Sequence, residues 1–317
     1  MLKDDAGEMR KRVLVTGITG QLGHDVMTEL NRRGHEAIGT ARRLPEEYPD
    51  VTNGQSFIKL DLTDEKAVNE AIAFCRPDAI VHCAAWTAVD AADEEENREA
   101  VYTANVLATR YLAEAAKAVD AKMVYISTDC VFDGHGTRAW EPDDKRFAPL
   151  NVYGQSKLDG ELAVAVALEK YFIVRTAWVF GKNGKNFVRT MLNVGKTHDV
   201  VRVVNDQIGT PTYTPDLARL LADMVETEKY GYYHATNREE KSGAYISWYD
   251  FTKEIYRQAG METNVIPVST EEYGLSKARR PFNSRLDKSK LAASGFAPLP
   301  TWKDALSRYL MEIGEIE

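Results

Sequence analysis

The chain has 317 residues, 44% hydrophobic and 28% charged, enough for one large globular unit or two coupled ones. Its net charge of −8 argues against the basic face of a nucleic-acid-binding surface. It holds no apolar run of about 18 residues, so nothing in it reads as a membrane span. The polar stretch 1–12 lacks the apolar core of a secretory signal and reads as a leader before the first strand. Cys75, Cys83 and Cys130 show no CxxC or metal-ligand spacing, and the histidines are scattered. Cys75 and Cys83 read as small buried apolar residues, and an odd cysteine count fits a reducing cytoplasm.

In chain order, Arg12–Thr16 is a β-branched run of the kind buried in a parallel sheet. The glycine-rich segment 17–23 follows, then a helix over 24–33 closed by Gly34 and a second strand over 35–41. Residues 57–60 read as a third strand. Thr63 opens a helix that Pro77 ends, and 79–83 is a fourth strand. One long helix is expected from about residue 97 to 119, then a fifth strand over 122–127, a helix over 151–170 and a sixth strand over Tyr171–Thr176. The alternation predicts an α/β fold, a Rossmann-like doubly wound parallel sheet with crossovers on both faces. Beyond about Trp178 the alternation loosens. Residues 11–180 are therefore expected to form a dinucleotide-binding domain, with a returning segment at about 205–235 that brings residues 207–214 back to the cleft. Residues 181–204 and 236–317 are expected to form a smaller, mostly C-terminal substrate-binding portion.

Gly17, Gly20 and Gly23 lie between a strand and a helix. In that position glycines permit a tight turn, let the backbone approach a pyrophosphate and let helix pack on strand, while the helix N-terminus offers free N–H groups to the phosphates. An NAD site usually carries an acid about 20 residues on, at the end of the second strand. Here that place holds Arg42 and Arg43, which suit a 2′-phosphate, so NADPH is the expected cofactor and NADH the alternative. Asp61, ending the third strand, is expected either at the adenine or as a cap for the next helix. Tyr153 and Lys157, four apart on one helix, form a candidate proton-transfer pair, because an ammonium favours the phenolate and lets a tyrosine exchange protons nearer neutrality. The fifth strand ends in Ser127-Thr128-Asp129, delivering Thr128 where an open α/β sheet binds ligands.

These marks, with GITGQLG (17–23), STDCVFDG (127–134), NVYGQSKLDGE (151–161), RTAWVFG (175–181), NDQIGTPTYTPDLA (205–218) and RRPFNSRLD (279–287), resemble the extended short-chain dehydrogenases/reductases, and among them the dTDP-4-dehydrorhamnose reductases. The resemblance runs from about residue 11 to 310. It implies hydride transfer from NADPH to C4 of a dTDP-4-keto-sugar, in the making of an activated sugar for bacterial surface polysaccharide. It implies that Gln21 and Leu22 join the glycines at the pyrophosphate, and that Asp61 and Leu62 meet adenine. Ala84 and Ala85 would line the cofactor path, with Asn105 as a helix asparagine supporting that site. Thr87, Val89, Thr128, Asp129 and Trp178 would approach the sugar. The basic run Lys277-Ala278-Arg279-Arg280 offers an acidic protein the local cations that a nucleotide diphosphate requires, so Arg279 and Arg280 are expected at the substrate. The chain departs from the family at Trp86 and Cys130, where tyrosines are common. No acidic cluster is apparent for the divalent cation that some relatives hold at a dimer interface, so magnesium is unassigned and a homodimer stays open. Thr128-Asp129-Cys130 lacks the glutamate of dehydratases, and an NADP-binding regulatory homologue without catalysis is the rival reading.

Overall fold

The structure is a computed structural model and describes residues 10–43 and 56–317; the expected leader, up to residue 9, lies outside the described residues. Seven strands form the main sheet: β1 (Arg12–Thr16), β2 (Glu36–Ala41), β3 (Ser56–Lys59), β4 (Ala79–His82), β5 (Lys122–Thr128), β6 (Tyr171–Thr176) and, after the short β7 (Val179–Phe180), β8 (Val200–Val204), β9 (Ile208–Gly209) and β10 (Thr212–Tyr213), the late strand β11 (Gly231–His234). Their order is β11-β6-β5-β4-β1-β2-β3, and every neighbouring pair is parallel. The order reverses between β1 and β4, and in such a sheet ligands bind in the crevice outside the strand carboxyl ends at that switch.

Alternation along the strands decides which side chain enters which core. Val13, Val15, Val81, Val124 and Val174 face the helices Gln21–Arg32 and Thr214–Glu226 on one side. Leu14, Ile80, Met123, Tyr125 and Ile173 face Glu65–Cys75, Ala108–Ala118 and Val152–Ala167 on the other. The sheet is thus buried on both faces, which is why its strands read as near-continuous apolar runs. A separate core gathers Phe180, Val188, Leu192, Phe251, Ile255, Trp302 and Tyr309, from the helices Phe187–Gly195, Trp248–Gln258 and Trp302–Glu312. Beside it β12 (Ile246–Ser247) pairs with β9, and β13 (Asn264–Val268) runs parallel to β8.

The helix expected from 97 to 119 is not continuous. It runs as a single tight turn at Glu95–Asn97, an α-turn at Arg98–Tyr102, a π-helical stretch at Thr103–Leu107 and then α-helix from Ala108. The cause is tertiary. Asn105, on the π stretch, is pinned from outside the helix, and Thr109 donates its hydroxyl to the Asn105 carbonyl at 2.7 Å. π-bulges of this sort concentrate at functional sites. The helix expected to open at Thr63 is instead capped by Asp64, whose carboxylate accepts the Ala67 N–H.

Candidate active site

One cleft of about 1420 Å³ lies along the carboxyl ends of the sheet and is lined by residues from both faces of the sheet and from the separate core. Its floor begins at the glycine turn. Gly17 takes φ +69°, and a Cβ there would stand 2.8 Å from the Ala84 backbone, so only glycine lets the turn lie against the end of β4. Gly20, Gln21, Leu22 and Gly23 line the same wall, and Gln21 opens the helix Gln21–Arg32. This is an anion cradle: a helix N-terminus with a bare backbone in front of it.

Arg42 lines the cleft beyond β2, whereas Arg43 is exposed next to it and outside the lining. Asp61 and Leu62 line the adjoining wall. Asp61 turns its Oδ1 onto the Thr63 N–H (3.0 Å) and hydroxyl (2.8 Å). Those bonds, the backbone one foremost, hold its carboxyl below the usual range, with help from the Arg42 charge.

At the centre Tyr153, Lys157, Thr128 and Asp129 meet. Asn151 caps the helix Val152–Ala167 by accepting the Gly154 N–H at 2.7 Å, and the Val152 N–H donates to Asp93 at 2.8 Å, which fixes how Tyr153 enters the cleft. A Cβ on Gly154 would stand 2.3 Å from the Cys130 carbonyl oxygen, so a bare residue beside Tyr153 lets its helix press against the end of β5. Burial pushes the Tyr153 phenol well above its ordinary value, with a hydrogen bond to Thr128 pulling the other way. Lys157 is 3% exposed, and its ammonium sits 4.1 Å from the Tyr125 ring centre. Burial lowers its pKa to about 7, against the carboxylate of Glu161. The Thr128 hydroxyl donates to Asp129 at 3.0 Å and accepts the Cys130 N–H at 3.2 Å. Burial raises the Asp129 carboxyl and the Cys130 thiol, so the thiol stays protonated.

Asn105 lies beneath this floor rather than in its lining. Its carbonyl oxygen accepts the Trp86 N–H at 2.7 Å, and its amide donates to the Trp86 carbonyl at 3.1 Å and to Ser156 Oγ at 2.9 Å. Ser156 in turn donates to the Tyr153 carbonyl at 2.8 Å. On the other side His82, its pKa lowered to about 3 by burial, bridges Thr16 and Thr109 at 2.7 and 3.0 Å, and Thr16 accepts the Ala84 N–H. Because Thr109 gives its hydroxyl proton to the Asn105 carbonyl, it accepts from His82 Nε2, so the imidazole carries its proton there and Nδ1 accepts from Thr16. A continuous polar chain thus ties the glycine-turn strand to the helix bearing Tyr153. Neither His82 nor Ser156 was singled out by the sequence, since Thr16 and Thr109 are distant from His82 and Asn105 is distant from Ser156.

Ala84, Ala85, Thr87 and Val89 line the cleft above β4, as do Cys83 and Trp86. At the far end Trp178 takes φ +52°, uncommon for a bulky residue, and stacks on Trp248 with ring centres 3.8 Å apart. Phe187 packs against Trp248 at 4.4 Å, and Gln207 and Ser284 complete this wall. Trp248 was not marked by the sequence, because a tryptophan at helical spacing reads as core.

Arg280 lines the cleft, while Arg279 is exposed outside the lining and offers its carbonyl to Asn151. The Arg280 Nη2 donates to Asp90 at 2.9 Å, Ala278 N–H donates to the same carboxylate, and Nη1 is buried without a partner. Among the described residues no group of three or more His, Cys, Asp or Glu is arranged to hold a metal ion.

The model of the family described as the RmlD substrate binding domain matches residues 10–314. A dTDP-4-dehydrorhamnose reductase from Streptomyces griseus is 38% identical over 304 residues, covering 94% of this chain and 92% of its own. The spore coat polysaccharide biosynthesis protein SpsK of Bacillus subtilis (strain 168) is 36% identical over 301 residues, covering 95% and 97%. The crystal structure of dTDP-4-dehydrorhamnose reductase from Bacillus anthracis str. Ames in complex with NADP superposes with a TM-score of 0.85 at 39% identity, covering 96% of this chain and 100% of that one.

Proposed function

The chain belongs to the RmlD substrate binding domain family of dTDP-4-dehydrorhamnose reductases, and on that premise we propose that it reduces dTDP-4-dehydro-L-rhamnose to dTDP-L-rhamnose with NADPH, in nucleotide-sugar synthesis for surface polysaccharide. The observation that carries the reading is the convergence of Tyr153, Thr128 and the Gly17–Gly23 cradle on one cleft. The cradle fits a dinucleotide, because Gly17 has no room for a Cβ and the helix behind it presents its N-terminus.

When bound there, NADPH supplies a hydride to the sugar carbonyl. The chain's own groups do the rest. Gly17, Gly20, Gln21, Leu22 and Gly23 hold the diphosphate, Arg42 the 2′-phosphate with Arg43 beside it, and Asp61 and Leu62 the adenine. Ala84 and Ala85 line the path to the nicotinamide, and Asn105 holds that wall through Trp86. Tyr153, kept neutral by burial, gives its proton to the C4 oxygen, while Lys157 bonds the nicotinamide ribose and stabilises the phenolate left behind. Thr128 bonds the C4 oxygen, Asp129 approaches the sugar, Thr87, Val89 and Trp178 enclose it, and Arg280, with Arg279 outside it, faces the substrate diphosphate. Residues 11–180 with the returning segment at about 205–235 act as the cofactor half, and 181–204 with 236–317 as the mainly substrate-binding half. The cytoplasm is the compartment of this reaction; among the described residues no helix is long and apolar enough to cross a membrane, and Cys75, Cys83 and Cys130 are unpaired.

The test is a coupled assay that generates dTDP-4-dehydro-L-rhamnose and follows nicotinamide absorbance with NADPH and NADH in parallel. Stoichiometric oxidation is expected, faster with NADPH and lost in Tyr153→Phe while NADPH binding persists. Binding of NADPH without turnover of the keto-sugar would refute the catalytic reading in favour of a regulatory homologue.

A further inference from the structure

The loop between β7 and the helix Phe187–Gly195 reads Gly181-Lys182-Asn183-Gly184-Lys185-Asn186, and it is fastened to the glycine turn. The Asn186 amide donates to the Gly181 carbonyl at 2.8 Å and to Gln21 Oε1 at 3.1 Å, and its Oδ1 caps the following helix through the Arg189 N–H. Gln21 donates back to the Lys185 carbonyl at 3.4 Å. Gln21 is the first residue of the helix whose N-terminus faces the cradle, so these bonds hold the loop along the open side of that cradle. Asn183, Gly184 and Lys185 line the same cleft as Gly17, Gly20 and Gln21.

Two side chains of this loop that line the cleft are unspent. The Asn183 amide nitrogen is buried and has no hydrogen-bond partner, a costly state unless a ligand supplies an acceptor. Lys185 forms no ion pair among the described residues, although the chain carries 48 acidic residues against 40 basic ones. The glycine turn itself, GITGQLG, contains no cation. A helix N-terminus contributes only about half a positive charge, whereas a dinucleotide diphosphate brings two negative ones. Charge is therefore missing on the side where Lys185 stands.

We propose that this loop is the outer wall of the cofactor's diphosphate site, with Lys185 Nζ and Asn183 Nδ2 as ligands opposite the helix N-terminus. The inference rests on the reading that the cleft takes NADPH. The ligand class is a dinucleotide diphosphate, and the clasp acts on affinity rather than on hydride transfer.

The experiment titrates NADPH into the full chain at low and high salt and follows cofactor fluorescence for wild type, Lys185→Ala, Lys185→Arg, Asn183→Ala and Asn183→Asp. Lys185→Ala should raise the NADPH Kd about tenfold, the scale of one lost charge-assisted bond, and flatten its salt dependence; Lys185→Arg should restore both. Asn183→Asp, nearly isosteric, should weaken binding more than Asn183→Ala because it sets a carboxylate against phosphate. The KM for the sugar nucleotide at saturating NADPH should not move. Wild-type NADPH affinity in Lys185→Ala and Asn183→Asp would overturn the inference. So would a raised sugar-nucleotide KM with unchanged NADPH Kd, which would assign the loop to the substrate's diphosphate. Failure of the wild-type chain to bind NADPH would instead overturn the reading beneath it, and the two failures are distinguishable in one data set.

Discussion

Cofactor binding should draw a proton onto Lys157. In the open cleft burial lowers this ammonium to about 7, although Glu161 and Cys83 favour the charged form. Its other neighbours do not titrate near neutrality: His82 is lowered to about 3, Cys83 is pushed up to about 12, and Tyr125 and Tyr153 are both raised by burial. A dinucleotide brings negative phosphates and ribose hydroxyls that accept from a charged lysine, so the bound value moves back toward the ordinary value of about 10.4. From a free value of about 7, Lys157 is about half charged at pH 7 and about one-tenth charged at pH 8. Full charging in the complex therefore takes up about 0.5 proton at pH 7 and about 0.9 at pH 8. The complex binds more protons than the free protein, so affinity falls as pH rises above about 7, by up to about tenfold, or about 1.4 kcal/mol, per pH unit. Calorimetry of NADPH binding in buffers of different ionisation heat reads the uptake directly, and Lys157→Met should abolish it. Heats independent of buffer, with affinity flat across that range, would refute the account.

The same lysine links pH to folding. In the unfolded chain it keeps its proton to about 10.4, and in the folded one it loses it at about 7. The unfolded state then binds more protons in between, so the thermal stability of the cofactor-free protein should rise with pH through this window, less steeply in Lys157→Met. Arg42→Ala should weaken NADPH about tenfold and leave NADH unchanged, measured as the ratio of the two Kd values; an equal loss for both would sever Arg42 from the 2′-phosphate. Glu161 and Arg175 form a bidentate pair at 2.8 Å, both 1% exposed, so Glu161→Ala strands a buried guanidinium and should cost about 3–5 kcal/mol in a urea titration. A loss under about 1 kcal/mol would mean that the Phe132, Phe147 and Tyr232 rings around Arg175 compensate by themselves.

Local pattern reached as far as local forces do. β1 and β6 fall on the residues their β-branched runs indicate, and the parallel order follows from the alternation of strand and helix. The glycine turn, the end of β5 and the Tyr153 helix gather in the cleft because each sits at a strand end or helix start with a composition of its own. The interruption at Thr103–Leu107 was illegible, because helix propensity alone continues through it and only the clamp from Asn105 to Trp86 and Ser156 breaks the repeat. Trp178 and Trp248 meet through the packing of separate segments, and nothing near either residue in sequence announces the other. Of the two arginine pairs, composition could not say which member enters: Arg42 and Arg280 line the cleft, and Arg43 and Arg279 do not.

An acidic chain that binds anionic ligands must separate the field met at a distance from the field met on contact. At long range the ligand meets a net charge of −8, whereas in the cleft Arg42, Lys157, Lys185, Arg202 and Arg280 offset the carboxylates of Asp61, Glu96, Glu99 and Asp129. Salt acts oppositely on the two. At about 0.1 M the screening length is about 10 Å, so added salt removes the long-range repulsion that slows the approach of NADPH. It should also weaken the contacts proposed for Arg42 and Lys185, which stand at the solvent edge. Stopped-flow binding should therefore show the association rate rising with ionic strength while the dissociation rate rises faster, so that the Kd increases. An association rate that falls with salt would mean that the cleft's cations dominate the approach path as well, by the focusing that charged concave walls produce.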